Sequence, residues 1–128
     1  MSKVKEIETK QGLIVGRDSV YMKGTEIDER FSKFKLTTDS NIGGVRYSGV
    51  IFTFNLSLAM KRTLLDSWLY SDGSPNLAES TSFFETLNSD WIASLKELND
   101  GSYRHITLQT YDFVYEFACE DFEVVIPT

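Results

Sequence analysis

Apolar and polar residues alternate in step over several stretches of this chain, and the period changes twice. Phe34-Lys35-Leu36-Thr37 repeats every second residue, as do Val50, Phe52, Phe54 and Leu56 against Ile51, Thr53, Asn55 and Ser57. That spacing sends one set of side chains to each face of a β-strand. Ile51 is apolar as well, so the centre of the second strand is expected to be covered on both sides. Between the two runs, Asp39, Asn41, Gly43 and Gly44 tolerate positive φ, which predicts a hairpin with a long turn. Upstream, residues 4–8, 13–15 and 19–22 read as short strands separated by corners at Gln11-Gly12 and Gly16-Arg17-Asp18. Residues 23–30, KGTEIDER, read as a polar loop.

The period then lengthens. Met60, Leu64, Leu65, Trp68 and Leu69 recur at three and four residues, which predicts a helix ending near Tyr70, ahead of Ser71-Asp72-Gly73-Ser74-Pro75. Ser82 and Glu85 have the spacing of a capping box. Phe84, Leu87, Trp91, Leu95 and Leu98 follow at helical spacing, so residues 82–98 are expected to form one amphipathic helix, or two if Asn88-Ser89-Asp90 acts as a cap and divides it.

Alternation returns near the C-terminus. Ile106 and Leu108 form one apolar face, and Phe113, Tyr115 and Phe117 form another. If Tyr111-Asp112 is a two-residue turn, Ile106 faces Phe117, Leu108 faces Tyr115, and the two apolar sets coincide. Phe122, Val124 and Ile126 continue with the parity switched, which predicts a bulge or turn near Glu120-Asp121 and a third strand ending at Pro127. Together these elements predict a single α+β domain spanning residues 1–128. Its antiparallel sheet comes from the N-terminal and C-terminal hairpins, with two or three helices from the middle of the chain packed on one face. Phe52, Phe54, Ile106, Leu108 and Phe117 would meet Leu65, Trp68, Trp91 and Leu95.

Composition fits a folded domain: 41% of residues are hydrophobic and 25% charged, which excludes disorder as the ground state. Charge distribution adds more. Residues 1–62 hold 11 Lys and Arg against 7 Asp and Glu, a net +4, while residues 63–128 hold 2 against 12, a net −10. A block this acidic repels nucleic acid and attracts basic surfaces. The single cysteine, Cys119, the charged N-terminus MSKVKEIETK and the lack of an apolar run of about 20 residues point to a cytoplasmic protein that does not span a membrane.

Catalytic chemistry is hard to assemble from these residues. His105 is the sole histidine, and the expected hairpin register sets it opposite Ala118, with Glu116 on its face and Cys119 on the other, so no Cys-His dyad forms. Glu116 and Glu120 are about 13 Å apart along a strand, too far to share a metal ion, and Gly44-Val45-Arg46-Tyr47-Ser48-Gly49 is followed by Val50 and Ile51 where a phosphate loop needs Lys and Ser or Thr. No metal or other cofactor is expected. Lys33, Lys35, Arg46, Lys61 and Arg62 near Phe31, Phe34 and Tyr47 offer a basic, aromatic mixture, but the net charge of −6 opposes nucleic-acid binding. The expected function is that of a non-enzymatic acidic binding protein which neutralises or escorts a protein with a basic surface, in its most concrete form a bacterial immunity-type inhibitor of a toxin. Asp112, Glu116, Glu120, Asp121 and Glu123 are the expected contact residues. The sibling reading is a secretion-type chaperone for an extended peptide; the reading from another class is an enzyme or ligand-binding domain with an aromatic-lined pocket. A homo-oligomer joining the +4 half of one copy to the −10 half of another is a further arrangement these charges permit.

Overall fold

The computed structural model describes residues 3–16, 18–65, 67, 81–95 and 103–127. These residues form an almost all-β structure, so the expected α+β architecture is corrected. Seven strands, β1 (Lys3–Glu6), β2 (Val20–Asp28), β3 (Lys33–Ile42), β4 (Val45–Leu64), β5 (Phe83–Leu87), β6 (Arg104–Gln109) and β7 (Phe113–Val125), make one sheet in the order β1-β5-β6-β7-β4-β3-β2. Every neighbouring pair is antiparallel. Helix is scarce among the described residues: α1 (Asp90–Ser94) has five residues, and Leu65 and Ser67 are helical just after β4.

No layer of helices covers the sheet among the described residues, and its apolar side is buried against itself. Phe52 on β4 meets Phe83 on β5 edge to face at 5.2 Å, although the two strands are three places apart in the sheet. Phe54 stacks on Phe117 at 3.8 Å, and Phe34 reaches the same ring from β3 at 5.6 Å. Such contacts require a strongly curled sheet with a concave face, which right-handed strand twist permits and bulges accentuate. Bulges occur in β2 between Met22 and Gly24, at Thr38/Asp39 between β3 and β4, and in β4 between Ser57 and Ala59. The segment joining β1 to β2 crosses the open side of the curl. It is held to both flanks by the Ile7 N–H donating to the Phe83 carbonyl (3.1 Å) and the Gly43 N–H donating to the Leu13 carbonyl (2.9 Å), and its Ile14 is wholly buried.

The helix expected at residues 60–70 is, up to Leu64, the end of β4. Met60, Arg62 and Leu64 pair with Phe117, Tyr115 and Phe113, and Lys61 pairs with Glu116. A row of three aromatics on β7 needs cover, and cross-strand packing outweighs a helical spacing that rests on few residues. Beyond β4, Leu65 and Ser67 are helical as expected, and Trp68, Leu69 and Tyr70 lie outside the described residues. The helix expected from Ser82 is replaced by β5. Phe83 and Phe84 are both fully buried although they project to opposite faces, a demand that a strand between β1 and β6 meets and an amphipathic helix does not. The capping-box residues serve other ends: the Ser82 hydroxyl donates to the Gly16 carbonyl (2.7 Å), and Glu85 pairs with Arg104 (2.8 Å). The helix begins at the break foreseen at residues 88–90. Asn88 is left-handed (φ 53), and the Ser89 hydroxyl caps α1 by accepting the Ile92 N–H at 3.2 Å. Leu95 follows the helix, and Leu98 lies outside the described residues.

Three smaller corrections concern turns. Residues 23–28, expected as loop, belong to the edge strand β2, followed by a single 3₁₀ turn, Glu29–Phe31. The β3–β4 hairpin closes with Gly43 and Gly44 alone, at φ 60 and 86, since Ile42 already pairs with Val45. Positive φ at both positions is what a two-residue turn requires, and the long turn is unnecessary. No third C-terminal strand splits off; Phe122 and Val124 are in β7. The β6–β7 register is the expected one, with Ile106 opposite Phe117 and Leu108 opposite Tyr115.

Candidate functional site

β7 carries or adjoins every acidic residue expected to contact a partner, and its neighbours divide it in two. Residues 114–119 pair with β6 on one side and β4 on the other, whereas residues 121–125 pair with β4 alone among the described residues. Asp112 is exposed in the turn before β7; Glu120 is half-exposed, and Asp121 and Glu123 are exposed at the far end. At roughly 3.3 Å per residue, Asp112 and Asp121 stand roughly 30 Å apart. The five carboxylates therefore do not form one surface.

Glu116 is withdrawn from contact altogether. It is 6% exposed, and its Oε1 lies 2.8 Å from Nε2 of His105, which is itself 7% exposed. Its Oε2 is 3.6 Å from Lys61 Nζ on β4. Burial would push this carboxyl up, but the His105 hydrogen bond and the Lys61 charge outweigh it and hold Glu116 below the usual carboxylate range. Nδ1 of His105 is 2.7 Å from the Ser89 hydroxyl. The indole of Trp91 packs against the imidazole at 5.0 Å, and Lys61 Nζ sits 4.4 Å from the Trp91 ring centre. Ser89, His105, Glu116 and Lys61 thus form a polar chain on the convex side of the sheet, beneath α1. Next to it, Thr107 Oγ1 is buried with no hydrogen-bond partner among the described residues, although Thr107 pairs with Glu116 across the ladder.

On the concave side, Cys119 lies among the core residues, as its parity implied. Burial pushes its thiol up to about 12, which leaves it protonated and unreactive. Arg104, opposite Cys119, makes two hydrogen bonds to Glu85 (2.8 and 3.0 Å) and sits 5.1 Å from the centre of the Phe122 ring.

Beyond Cys119, the open edge of β7 faces the 7–11 segment across a groove of about 640 Å³. Ile7, Phe122, Val124 and Ile126 supply its apolar floor, each partly buried against the core. Glu8, Lys10 and Glu123 are exposed at its rim. Of the ion pairs between described residues, only Lys61–Glu116 links the basic half of the chain to the acidic half.

Sequence reasoning set His105 and Glu116 on one face but left Ser89, Lys61 and Trp91 out of their company. Ser89 was legible as a cap, and a diagonal from His105 to Glu116 is a normal cross-strand neighbour. Lys61 was hidden by the helical reading of its segment. No group of three or more His, Cys, Asp or Glu among the described residues could hold a metal ion, and no helix among them is long and apolar enough to cross a membrane. No protein-family model, curated protein or solved structure matches this chain.

Proposed function

We propose that the chain is a binding protein for a partner with a basic surface, and that an extended, lysine- or arginine-bearing segment of that partner lies along the open edge of β7. The observation that carries this reading is that residues 121–125 pair, among the described residues, with β4 alone, beside a groove with an apolar floor and with Asp121 and Glu123 at hand. An edge strand presents a row of backbone donors and acceptors, and a peptide that adds to it gains main-chain hydrogen bonds while its alternate side chains enter the groove. Acidic residues at the rim favour encounter with a cationic segment and disfavour an anionic one. Such a contact would serve an immunity-type inhibitor or a secretion-type chaperone, which differ in whether the partner stays folded when bound.

Titration with a fluorescent lysine-rich extended decapeptide and its glutamate counterpart, followed by backbone NMR, tests the reading. Lysine-peptide binding that weakens as salt rises, with shifts confined to residues 7–11 and 120–126, is the expected result. Equal binding of both peptides, or shifts elsewhere, would refute it. Replacing Asp121 and Glu123 together by Asn and Gln should slow association several-fold and leave the thermal midpoint unchanged.

A second reading is favoured by one observation. A pocket of about 300 Å³ on the concave side is lined by Ile27, Phe34, Leu36, Met60 and Phe117, with Arg62 among its lining residues. This combination suits a small apolar carboxylate, and displacement of an environment-sensitive fluorescent fatty acid checks it.

A further inference from the structure

We propose that Ser89 is a nucleophile activated by His105, with Glu116 as the positioning residue, and that the protein can transfer acyl groups from small carboxylic esters. The site lies on the convex face, away from the open edge of β7, and does not depend on the peptide-binding reading.

Proton bookkeeping in the chain of contacts carries the inference. Glu116 is ionised and accepts, so the proton between it and His105 belongs to Nε2, at 2.8 Å. In the neutral imidazole Nδ1 then carries a lone pair, and the group facing it at 2.7 Å is the Ser89 hydroxyl. In that tautomer Ser89 donates to Nδ1 while its oxygen accepts the Ile92 N–H at 3.2 Å. A hydroxyl donating to an imidazole whose other nitrogen is held by a carboxylate is the arrangement that makes serine a nucleophile; here the two imidazole nitrogens exchange their usual partners.

A structural role for the same atoms explains less. Capping α1 needs the Ser89 oxygen but neither His105 nor Glu116. Burying an imidazole and a carboxylate to support a five-residue helix is a poor exchange, since their desolvation offsets most of what the pair contributes. Exposure is graded as a nucleophile requires: His105 and Glu116 are buried, while Ser89 is partly exposed. Thr107 Oγ1, buried beside Glu116 and without a partner among the described residues, is an independent sign that the polar cluster is not closed upon itself.

The chemistry balances with water as the second reactant. Ser89 Oγ bonds to the ester carbonyl carbon as its proton moves to Nδ1 of His105, and Glu116 stabilises the imidazolium. The carbon–alkoxide bond then breaks, and the leaving oxygen takes the proton from Nδ1. Water attacks the acyl-serine, giving its proton to Nδ1, which returns it to Ser89 Oγ as that bond breaks. The products are a carboxylic acid and an alcohol, and the protein is regenerated.

The test uses the full chain with a small alkyl fluorophosphonate, in which the Ser89 oxygen displaces fluoride at phosphorus, and with p-nitrophenyl acetate. Mass spectrometry should find a single adduct on Ser89, and ester turnover should be abolished in Ser89→Asn, which keeps a capping oxygen. His105→Gln and Glu116→Gln should each slow labelling by at least tenfold, the low end of what a general base contributes. In Glu116→Gln the pH of half-maximal labelling should also fall, because the carboxylate no longer favours the imidazolium, a change that a merely structural glutamate would not produce. Circular dichroism confirms that each variant is folded; if His105→Gln is not, Glu116→Gln alone decides. An adduct distributed over several serines, no adduct in the folded protein, or labelling undiminished in Glu116→Gln would overturn the proposal.

Discussion

Gly43 and Gly44 look interchangeable in the sequence, yet the structure separates them. Both have positive φ, so alanine at either place costs about 1–2 kcal/mol for the left-handed backbone, offset by about 0.4–1 kcal/mol from a stiffer unfolded chain. For Gly44 nothing more is added, since a Cβ there meets no atom within 4 Å. A Cβ on Gly43 would stand 2.2 Å from the Gln11 carbonyl oxygen and 3.3 Å from its carbon. The contact must open to beyond 3.0 Å, and the atoms involved are backbone, so the 9–12 turn has to move. The Gly43 N–H to Leu13 carbonyl bond, 2.9 Å long, goes with it, a further loss of about 0.5–1.5 kcal/mol before any strain is counted. Gly43→Ala is therefore expected to lie about 1–2 kcal/mol below Gly44→Ala. With a urea dependence of about 1–3 kcal/mol per molar for a domain of this size, its unfolding midpoint falls roughly 0.5–1 M lower. Because Thr9, Lys10 and Gln11 line the groove beside β7, Gly43→Ala should also weaken binding of the lysine-rich peptide while Gly44→Ala leaves it intact. Superimposable urea curves for the two variants would refute the close packing of the crossing segment on the β3–β4 turn.

Three further outcomes are expected. Phe117→Ala removes the ring that stacks on Phe54 and meets Phe34, and should cost about 3–5 kcal/mol in urea unfolding; a loss under about 2 kcal/mol would show that the core is centred elsewhere. Thr107→Val replaces a buried hydroxyl that has no partner among the described residues by a methyl group of similar size, so the thermal midpoint should hold or rise by a few degrees, and a fall would reveal a partner for that oxygen. Ser89→Ala should cost about 1–2 kcal/mol through the lost cap, with Ser89→Asn recovering most of it, as read by thermal unfolding.

Strand positions were legible where a face was unambiguous. The β6–β7 register followed from two apolar sets that must coincide, and Cys119 and His105 were correctly separated by it. Residues 60–64 and 83–87 were not legible, for a shared physical reason. Met60 and Leu64, and Phe84 and Leu87, have spacings that suit a helix turn, while the alternative depends on partners distant in sequence: the aromatic row of β7 for one, and β1 with β6 for the other. Local period cannot see those partners. The same blindness hid the polar chain, since Ser89, His105, Glu116 and Lys61 come from four elements whose adjacency depends on the β5-β6-β7-β4 order. Charge was legible as composition but not as surface, because Glu116 is buried and Asp112 lies at the opposite end of β7 from Asp121 and Glu123.

Cys119 is the last residue of β7 that β6 covers, and its sulfur is buried in the core at the point beyond which, among the described residues, the strand pairs on one side only. With the sole cysteine of the chain at that boundary, a thiol reagent acts as a gauge of how often the strand lifts away. Modification can proceed only through molecules that have exposed this position, so the rate under native conditions counts openings of the boundary itself. If occupancy of the groove pins the far end of β7, the same clock slows in proportion to the bound fraction, and an unlabelled partner can be titrated without touching either the groove or the ligand.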